Sequence, residues 1–162
     1  GQARMNGFLK AARRYGLETG EDLMYQGHYL LEDGYEAVRH FLQVRPDISA
    51  IVTANDLMAL GAWRCLAKLG VGVPDEVSIV GFDDVAPASM GPFGLTTVRC
   101  PQYEMGAAAA RMLLEIFEEE HPVALRHVVF PVHLIVRDTT GPRRKSAVIT
   151  HVNRDVIQKG TW

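Results

Sequence analysis

The sequence has little of what marks several common classes of protein. Its 162 residues include only two cysteines, Cys65 and Cys100, which lie far apart and outside any Cys-x-x-Cys motif. No apolar run reaches the roughly 18–20 residues that span a bilayer, and no signal peptide opens the chain. The formal net charge is only -2. We therefore expect reduced thiols in a cytoplasmic protein, without a disulfide framework, a structural zinc site or a membrane segment.

The small net charge is unevenly distributed along the chain. Residues 137–162 hold six Lys and Arg against two Asp, a balance of +4, whereas the remainder holds eleven against seventeen, a balance of -6. The basic part includes Arg143-Arg144-Lys145. We expect residues 141–162 to form a solvated, poorly ordered tail rather than a nucleic-acid contact.

Two apolar runs stop abruptly at acid and amide side chains. One begins at Ile51 and ends at Asn55-Asp56, and the other begins at Val77 and ends at Asp83-Asp84. Short, nearly continuous apolar runs rich in β-branched residues are typical of buried parallel strands. Because ligands bind at the carboxyl edge of such a sheet, this pattern predicts a small-molecule site.

Helix and strand signals alternate along most of the chain. Helices are predicted over 3–16, 33–44, 56–69 and 101–120, and strands over 22–29, 48–54, 77–82 and 95–100. An extended segment is predicted over 126–137, where Pro131 indicates either a sheet edge or a crossing between subdomains. This alternation predicts an α/β fold with a doubly wound parallel sheet. Because the chain opens on a helix and has few strands, we expect it to be the C-terminal part of a longer protein.

Five sequence blocks in one fixed order resemble the effector-binding core of the lactose-repressor/galactose-repressor (LacI/GalR) family of bacterial transcription regulators. They are Arg4-Met-Asn-Gly-Phe8, Asn55-Asp-Leu-Met-Ala-Leu-Gly61, Val73-Pro-Asp-Glu-Val-Ser-Ile-Val-Gly-Phe-Asp-Asp84, Leu95-Thr-Thr-Val98 and Leu134-Ile-Val-Arg137. The resemblance covers roughly residues 2–140. Periplasmic sugar-binding proteins share the Asn-Asp-x-Met-Ala-x-Gly block, but the turn before Ser78 and the Leu-Thr-Thr-Val block look more like the repressors.

The resemblance implies a periplasmic-binding-protein-like fold, in which two subdomains close on a small effector. Residues 1–96 would form a partial C-terminal subdomain, 97–125 a crossover and a helix of the N-terminal subdomain, and 126–140 the return strand. Helix 101–120 would then have lost much of its packing surface. Family members bind DNA through an N-terminal helix-turn-helix, which this chain lacks, and they form dimers. We therefore expect a homodimer whose DNA contacts lie outside this chain.

Four residues are the candidate effector ligands. The guanidinium of Arg4 can donate paired hydrogen bonds, the ring of Tyr29 can stack on a sugar or a nucleobase, the amide of Asn55 suits a hydroxyl, and Asp83 can accept from adjacent hydroxyls. The resemblance places Arg4, Tyr29 and Asp83 at effector-contacting positions of the family. Exposed-surface or core roles remain the alternatives for Arg4 and Tyr29.

Three further positions complete this prediction of the site. We expect Asp56 to cap the helix that follows it, and Asp84 to act in a turn or cap. Cys100 stands where family members often carry a glutamine that can contact the effector. Because a thiol is a poor hydrogen-bond partner, the resemblance implies a different contact there, and the ligand itself could differ.

The helix predicted after Asp56 also carries a candidate dimer interface, formed by Leu60, Trp63 and Arg64. Similar repressors dimerise partly through this helix. The sequence leaves open whether Trp63 belongs to an interface or to the core.

Three functions fit these observations: an effector-sensing part of a DNA-binding repressor, a sugar-binding module of a transport or chemoreceptor system, and a magnesium-dependent phosphotransfer domain. The last rests on Asp56, Asp83 and Asp84, but no nucleophile or glycine-rich phosphate loop accompanies them. His127 and His133 share one face of an extended segment without an obvious third metal ligand. We therefore expect no catalysis, no metal and no cofactor.

Overall fold

The computed structural model describes residues 1–86, 94–118, 126–142 and 149. Within these ranges the elements are α1 (Gln2–Arg14), a 3-10 turn (Glu21–Leu23), α2 (Leu31–Val44), β1 (Ala50–Val52), α3 (Asp56–Lys68), β2 (Ser78–Asp83), β3 (Thr96–Arg99), α4 (Gln102–Glu118) and β4 (His133–Ile135). None of the helices in the described ranges is long and apolar enough to cross a membrane.

The strands form one sheet in the order β1-β2-β3-β4. β1, β2 and β3 run parallel, with Ile51 opposite Ile79 and Val80 opposite Thr96. β4 runs antiparallel to β3 and forms the edge of the sheet. The predicted α/β fold with a mainly parallel sheet is therefore confirmed, and β4, which follows Pro131, lies at one edge of the described sheet.

Helices α2 and α3 pack so closely that two glycines are needed at their contact. A Cβ added to Gly34 would lie 1.8 Å from the carbonyl oxygen of Met58, and one added to Gly61 would lie 1.8 Å from that of Leu31. Only the missing side chains allow this approach. The shared core joins apolar side chains of both helices to those of the sheet, including Val38, Leu42, Ile51, Ala62, Leu66, Val77, Ile79 and Leu95.

The strand predicted over 22–29 is wrong. The chain forms the 3-10 turn there and then runs as a loop to the start of α2. A strand needs a neighbour that satisfies its backbone N–H and C=O groups. Among the described residues, β1 pairs with β2 alone, so this segment has no strand beside it.

Helices α1 and α4 leave much of their apolar surface exposed. In α1 only Ala12 is buried, and the ring of Tyr15 is 77% exposed. In α4 no residue is buried, and Tyr103 and Phe117 are 84% and 81% exposed. Apart from Ala12, every apolar residue of these two helices is therefore at least partly exposed.

The chain after β4 returns to the core. Thr139 is buried between two strands: its hydroxyl donates to the carbonyl oxygen of Ile79 at 2.8 Å, and its carbonyl oxygen accepts from the N–H of Ile79 at 2.8 Å. Ile149 is 8% exposed, packs in the core and donates from its N–H to Pro46. The poorly ordered tail expected over 141–162 otherwise falls largely on residues 143–148 and 150–162, which lie outside the described residues.

Candidate functional site

The candidate effector residues meet at the carboxyl edge of the sheet. Asn55 follows β1, Asp83 is the last residue of β2, and Cys100 follows β3. Arg4 in the first turn of α1 and Tyr29 before α2 reach the same edge. The structure therefore brings together residues that are up to 96 positions apart in the sequence.

Arg4 lies between the sheet edge and two aromatic rings. Its guanidinium donates a hydrogen bond to the carbonyl oxygen of Ala54 and lies 4.3 Å from the ring centroid of Phe82 and 5.9 Å from that of Tyr29. Cation–π contacts of this kind orient a guanidinium without using its N–H donors. Several of those donors remain available for a ligand.

Tyr29 is held in a backbone conformation that few non-glycine residues adopt, with a φ of 69°. The carboxylate of Asp33 accepts from the N–H groups of His28 at 2.7 Å and Leu30 at 2.8 Å, the residues on either side of Tyr29. These bonds, first that from Leu30, lower the pKa of Asp33. The carbonyl oxygen of Tyr29 accepts from the side chain of Asn55 at 3.0 Å. The loop is thus fixed on both sides of the exposed ring.

Asn55, rather than Asp56, is the N-cap of α3. Its Oδ1 accepts from the N–H of Met58 at 2.9 Å, while its Nδ2 donates to Tyr29. Both ends of the amide therefore hold the protein itself together. The expectation that Asp56 caps this helix is wrong, because the residue before it already satisfies the free N–H group.

Asp56 instead joins three elements beneath the site. Its side chain is buried, with the residue 1% exposed. Oδ1 accepts from the hydroxyl of Thr97 in β3 at 2.6 Å, and Oδ2 accepts from the N–H of Val85 after β2 at 2.9 Å. Gly81 makes room for it, since a Cβ there would lie 2.2 Å from Asp56 Oδ1. Both oxygens are thus occupied within the protein.

Asp83 carries the most available carboxylate of the site. The residue is half-buried, and its side chain has no hydrogen-bond partner among the described residues. Burial raises the pKa of Asp83 above its ordinary value, the positive charge of Arg4 opposes that rise, and Asp56 adds to it. Its φ of 113° lies in a region that costs energy for a non-glycine residue. Such strain is common where a side chain must face a ligand.

Asp84 has a different role from the turn or cap expected for it. Its side chain is 6% exposed and lies 2.6 Å from Nε of Arg99 and 2.7 Å from a terminal nitrogen of Arg137. Burial would raise the pKa of Asp84, but the hydrogen bond from Arg99 and the ion pair with Arg137 outweigh burial and lower it. The expectation failed because both arginines are distant in sequence.

Cys100 is close enough to the other candidates to share their electrostatics. Burial raises the pKa of its thiol, the negative charge of Asp83 adds to the rise, and Arg4 opposes it. Cys100 is half-buried, whereas Cys65 is fully buried in the core. The thiol therefore borders the site as a neutral, weakly polar group.

The candidate dimer residues on α3 differ in exposure. Leu60 and Trp63 are partly buried and pack against the core, whereas Arg64 is exposed. Leu57, one turn before Leu60, is 45% exposed. Trp63 thus contributes to the core, and the outer face of α3 presents Leu57 and Arg64.

The described part of the chain contains no group of three or more His, Cys, Asp or Glu that could hold a metal ion. The three acids behind the magnesium hypothesis do not converge, because Asp56 binds Thr97 and Asp84 binds arginines. The two histidines of the extended segment are exposed.

The site combines a cation, a carboxylate and an exposed aromatic ring at one edge of the sheet. This set can donate to and accept from neighbouring hydroxyls while a flat face stacks on the ring, which is the chemistry of sugar or nucleoside recognition.

Sequence reasoning missed the supporting residues Asp33 and Phe82. Asp33 was detectable as an acid three residues after Leu30, the N-cap of α2, where it can satisfy free N–H groups. Nothing in the sequence marked Phe82 as a partner of Arg4.

Comparisons with known proteins agree with this geometry. The model of the family described as periplasmic binding protein-like domain matches residues 1–140. The chain is 34% identical to the helix-turn-helix-type transcriptional regulator CelR of Thermobifida fusca and 33% identical to the arabinose metabolism transcriptional repressor of Geobacillus stearothermophilus. Each match covers 86% of this chain but only 41% and 40% of the relative. The chain thus spans about two fifths of the length of these curated relatives.

Solved structures give the same result. The complex of the transcriptional regulator CelR with cellobiose superimposes with a TM-score of 0.78 at 34% identity, covering 84% of this chain and 41% of that one. A LacI-type transcription regulator from Bifidobacterium animalis superimposes with a TM-score of 0.79 at 30% identity, covering 86% of this chain and 50% of that one. The chain therefore belongs to the periplasmic binding protein-like domain family, and the relatives that it matches there are LacI-family transcriptional regulators.

Proposed function

We propose that this chain is the effector-sensing region of a bacterial transcriptional repressor and that its effector is a sugar or a nucleoside-like small molecule. The observation that carries the proposal is the meeting of Arg4, Tyr29 and Asp83 at the carboxyl edge of the sheet. The relatives reported above are transcriptional regulators, which favours this role over a transport or chemoreceptor module. The function proposed is binding, not catalysis.

The three residues would have separate tasks. Arg4 would donate hydrogen bonds to ligand hydroxyls or a ring oxygen, and Asp83 would accept from a pair of adjacent hydroxyls. The ring of Tyr29, 38% exposed, would stack on the flat face of the ligand. Asn55 is proposed as a supporting residue whose remaining contact with an effector is secondary, because its amide holds the Tyr29 loop.

Calorimetric titration of the 162-residue chain with a panel of ligands tests this proposal. The panel contains cellobiose, sucrose, arabinose, cytidine and guanine. We expect saturable binding of at least one of them. Replacing Arg4→Gln should weaken that binding by about tenfold or more, because loss of one charge-assisted hydrogen bond is worth about 1.5–3 kcal/mol.

Arg14→Gln is the matched control, since Arg14 lies exposed in the last turn of the same helix. It should leave the affinity unchanged. Binding that is indifferent to both substitutions, or absent for the whole panel, would count against the proposal.

We further propose a homodimer in the cytoplasm, formed partly by the outer face of α3 with Leu57, Leu60 and Arg64, while Trp63 supports that face from the core. DNA would be contacted by a part of the regulator outside these 162 residues. Sedimentation velocity tests the interface: Arg64→Glu should shift the population from dimer to monomer. A wild-type chain that stays monomeric at high concentration would contradict this interface.

A further inference from the structure

Strands β3 and β4 connect the packed body of the chain to α4. β3 ends at Arg99 and leads into α4, and β4 leads back to the buried Thr139. No residue of α4 is buried, so this helix stands apart from the core. The direction of the chain beyond the sheet therefore depends on these two neighbouring strands.

A single carboxylate binds both of these connections. Asp84 lies 2.6 Å from Arg99 at the outer end of β3 and 2.7 Å from Arg137 just after β4. Arg137 is itself fixed to the start of β3, since it donates to the carbonyl oxygen of Leu95 at 2.8 Å and its N–H donates to the hydroxyl of Thr96 at 2.9 Å. One acid thus reaches both ends of β3 and the end of β4.

The same acid is the direct neighbour of the candidate effector ligand Asp83. Both residues have positive φ angles, 113° for Asp83 and 59° for Asp84. Because positive φ angles cost energy for non-glycine residues, contacts with the surrounding structure must hold this turn in place. A displacement of Asp83 therefore moves Asp84, whose Cα lies only about 3.8 Å away along the chain.

We propose that Asp84 is a positioning residue: its ion pairs with Arg99, at the end of β3, and with Arg137, in the chain that returns from β4 to the core, hold β3 and β4 in place and couple their position to Asp83. The coupling to a bound ligand rests on the proposed function, whereas the positioning itself does not. Ion pairs between exposed side chains contribute little, but Asp84 is 6% and Arg137 is 18% exposed, so this contact is screened far less. Removing the Asp84 carboxylate leaves the largely buried guanidinium of Arg137 without its charged partner.

Hydrogen–deuterium exchange of the 162-residue chain tests the positioning without a ligand. In Asp84→Asn, we expect amides of residues 94–100 and 133–138 to exchange about tenfold faster, because local opening no longer breaks a charge-assisted contact. Amides of α2 and α3 should change less than twofold. The matched control Asp75→Asn, in an exposed turn, should change neither region.

Arg99→Gln is a second variant for the case in which Asp84→Asn loses its fold. Arg99 is 55% exposed, and its loss leaves Asp84 paired with Arg137. We expect a smaller rise in exchange, limited to residues 97–100. Unchanged exchange in β3 and β4, or an equal rise in every part of the molecule, would overturn the proposal.

A second arm of the hydrogen–deuterium exchange experiment adds a ligand of the titration panel that binds. The ligand should slow exchange of β3 and β4 in the wild-type chain but not in Asp84→Asn, although that variant still binds it. Equal slowing in both proteins would overturn the coupling. If no ligand of the panel binds, the proposed function fails, and the arm without ligand alone decides whether Asp84 positions the two strands.

Discussion

The close contact of α2 and α3 makes a sharp prediction about two helical glycines. Alanine is favoured over glycine within a helix by about 1 kcal/mol, so Gly→Ala should stabilise a helix that has free space. Gly7 in α1 has such space, since a Cβ there would meet nothing within 4 Å. Gly61 in α3 does not, because its Cβ would lie 1.8 Å from the carbonyl oxygen of Leu31 and 3.0 Å from the backbone nitrogen of Tyr35.

The distances in the structure give the size of the expected change in the free energy of unfolding. An ordinary contact between a carbon and a carbonyl oxygen is about 3.3 Å, so Gly61→Ala must move the helices apart by roughly 1.5 Å. Overpacking costs about 1–3 kcal/mol, and here it acts on rigid backbone, so we take about 3 kcal/mol. After the helix gain of about 1 kcal/mol, Gly61→Ala should lower the free energy of unfolding by about 2 kcal/mol. Gly7→Ala should raise it by up to about 1 kcal/mol.

Urea unfolding followed by circular dichroism measures both values under the same conditions. Gly61→Ala should also weaken ligand binding, because Leu31 follows the loop that holds Tyr29. A Gly61→Ala protein as stable as the wild type would refute this account of helix packing. A destabilised Gly7→Ala protein would show that the surroundings of α1 are denser than the contacts indicate.

Three further results are expected. Asp56→Ala should lower the free energy of unfolding by about 3 kcal/mol or more, since two buried donors lose a charged acceptor, whereas Asp75→Ala should stay within about 0.5 kcal/mol in the same urea assay. Iodoacetamide should label Cys100 in the native protein and Cys65 only on unfolding, because burial raises the pKa of Cys65 to about 12. Mass spectrometry of the labelled peptides distinguishes the two cysteines. Because the folded-state pKa of Asp84 is lowered, its contribution to stability is present above about pH 4 and is lost as the pH falls further. The urea midpoint of Asp84→Asn should therefore fall less steeply than that of the wild type between pH 5 and pH 2.5. Equal slopes for the two proteins would contradict this.

The sequence predicts the parts of the fold that depend on local patterns. The apolar runs that end at Asn55 and Asp83 are parallel strands, as expected. Gly16 and Gly70 follow helices and take the positive φ angles that are typical of glycines there. The strand over 22–29 failed, because strand formation depends on a pairing partner that no local pattern reports.

The meeting of the candidate residues at one edge of the sheet was also predictable, but the contacts that each of them makes were not. Arg4 and Asp83 approach each other because both lie at the same edge of the sheet. Asn55 takes the N-cap role expected of Asp56, because the choice of N-cap depends on backbone angles, while Asp56 accepts from the hydroxyl of Thr97, 41 residues away. The ion pairs of Asp84 likewise join residues that are far apart in the sequence. The spacing of residues along the sequence does not reveal which of them form ion pairs.

The central claim is that a small polar ligand binds at the surface formed by Arg4, Tyr29 and Asp83. Its most direct test is a set of amide ¹H–¹⁵N NMR spectra of the labelled chain, recorded with each ligand of the panel up to millimolar concentration. We expect one ligand to produce saturable shifts around these three residues and Cys100, and Arg4→Gln to remove them. Saturable shifts confined to another region, or no shifts with any ligand, would contradict the account.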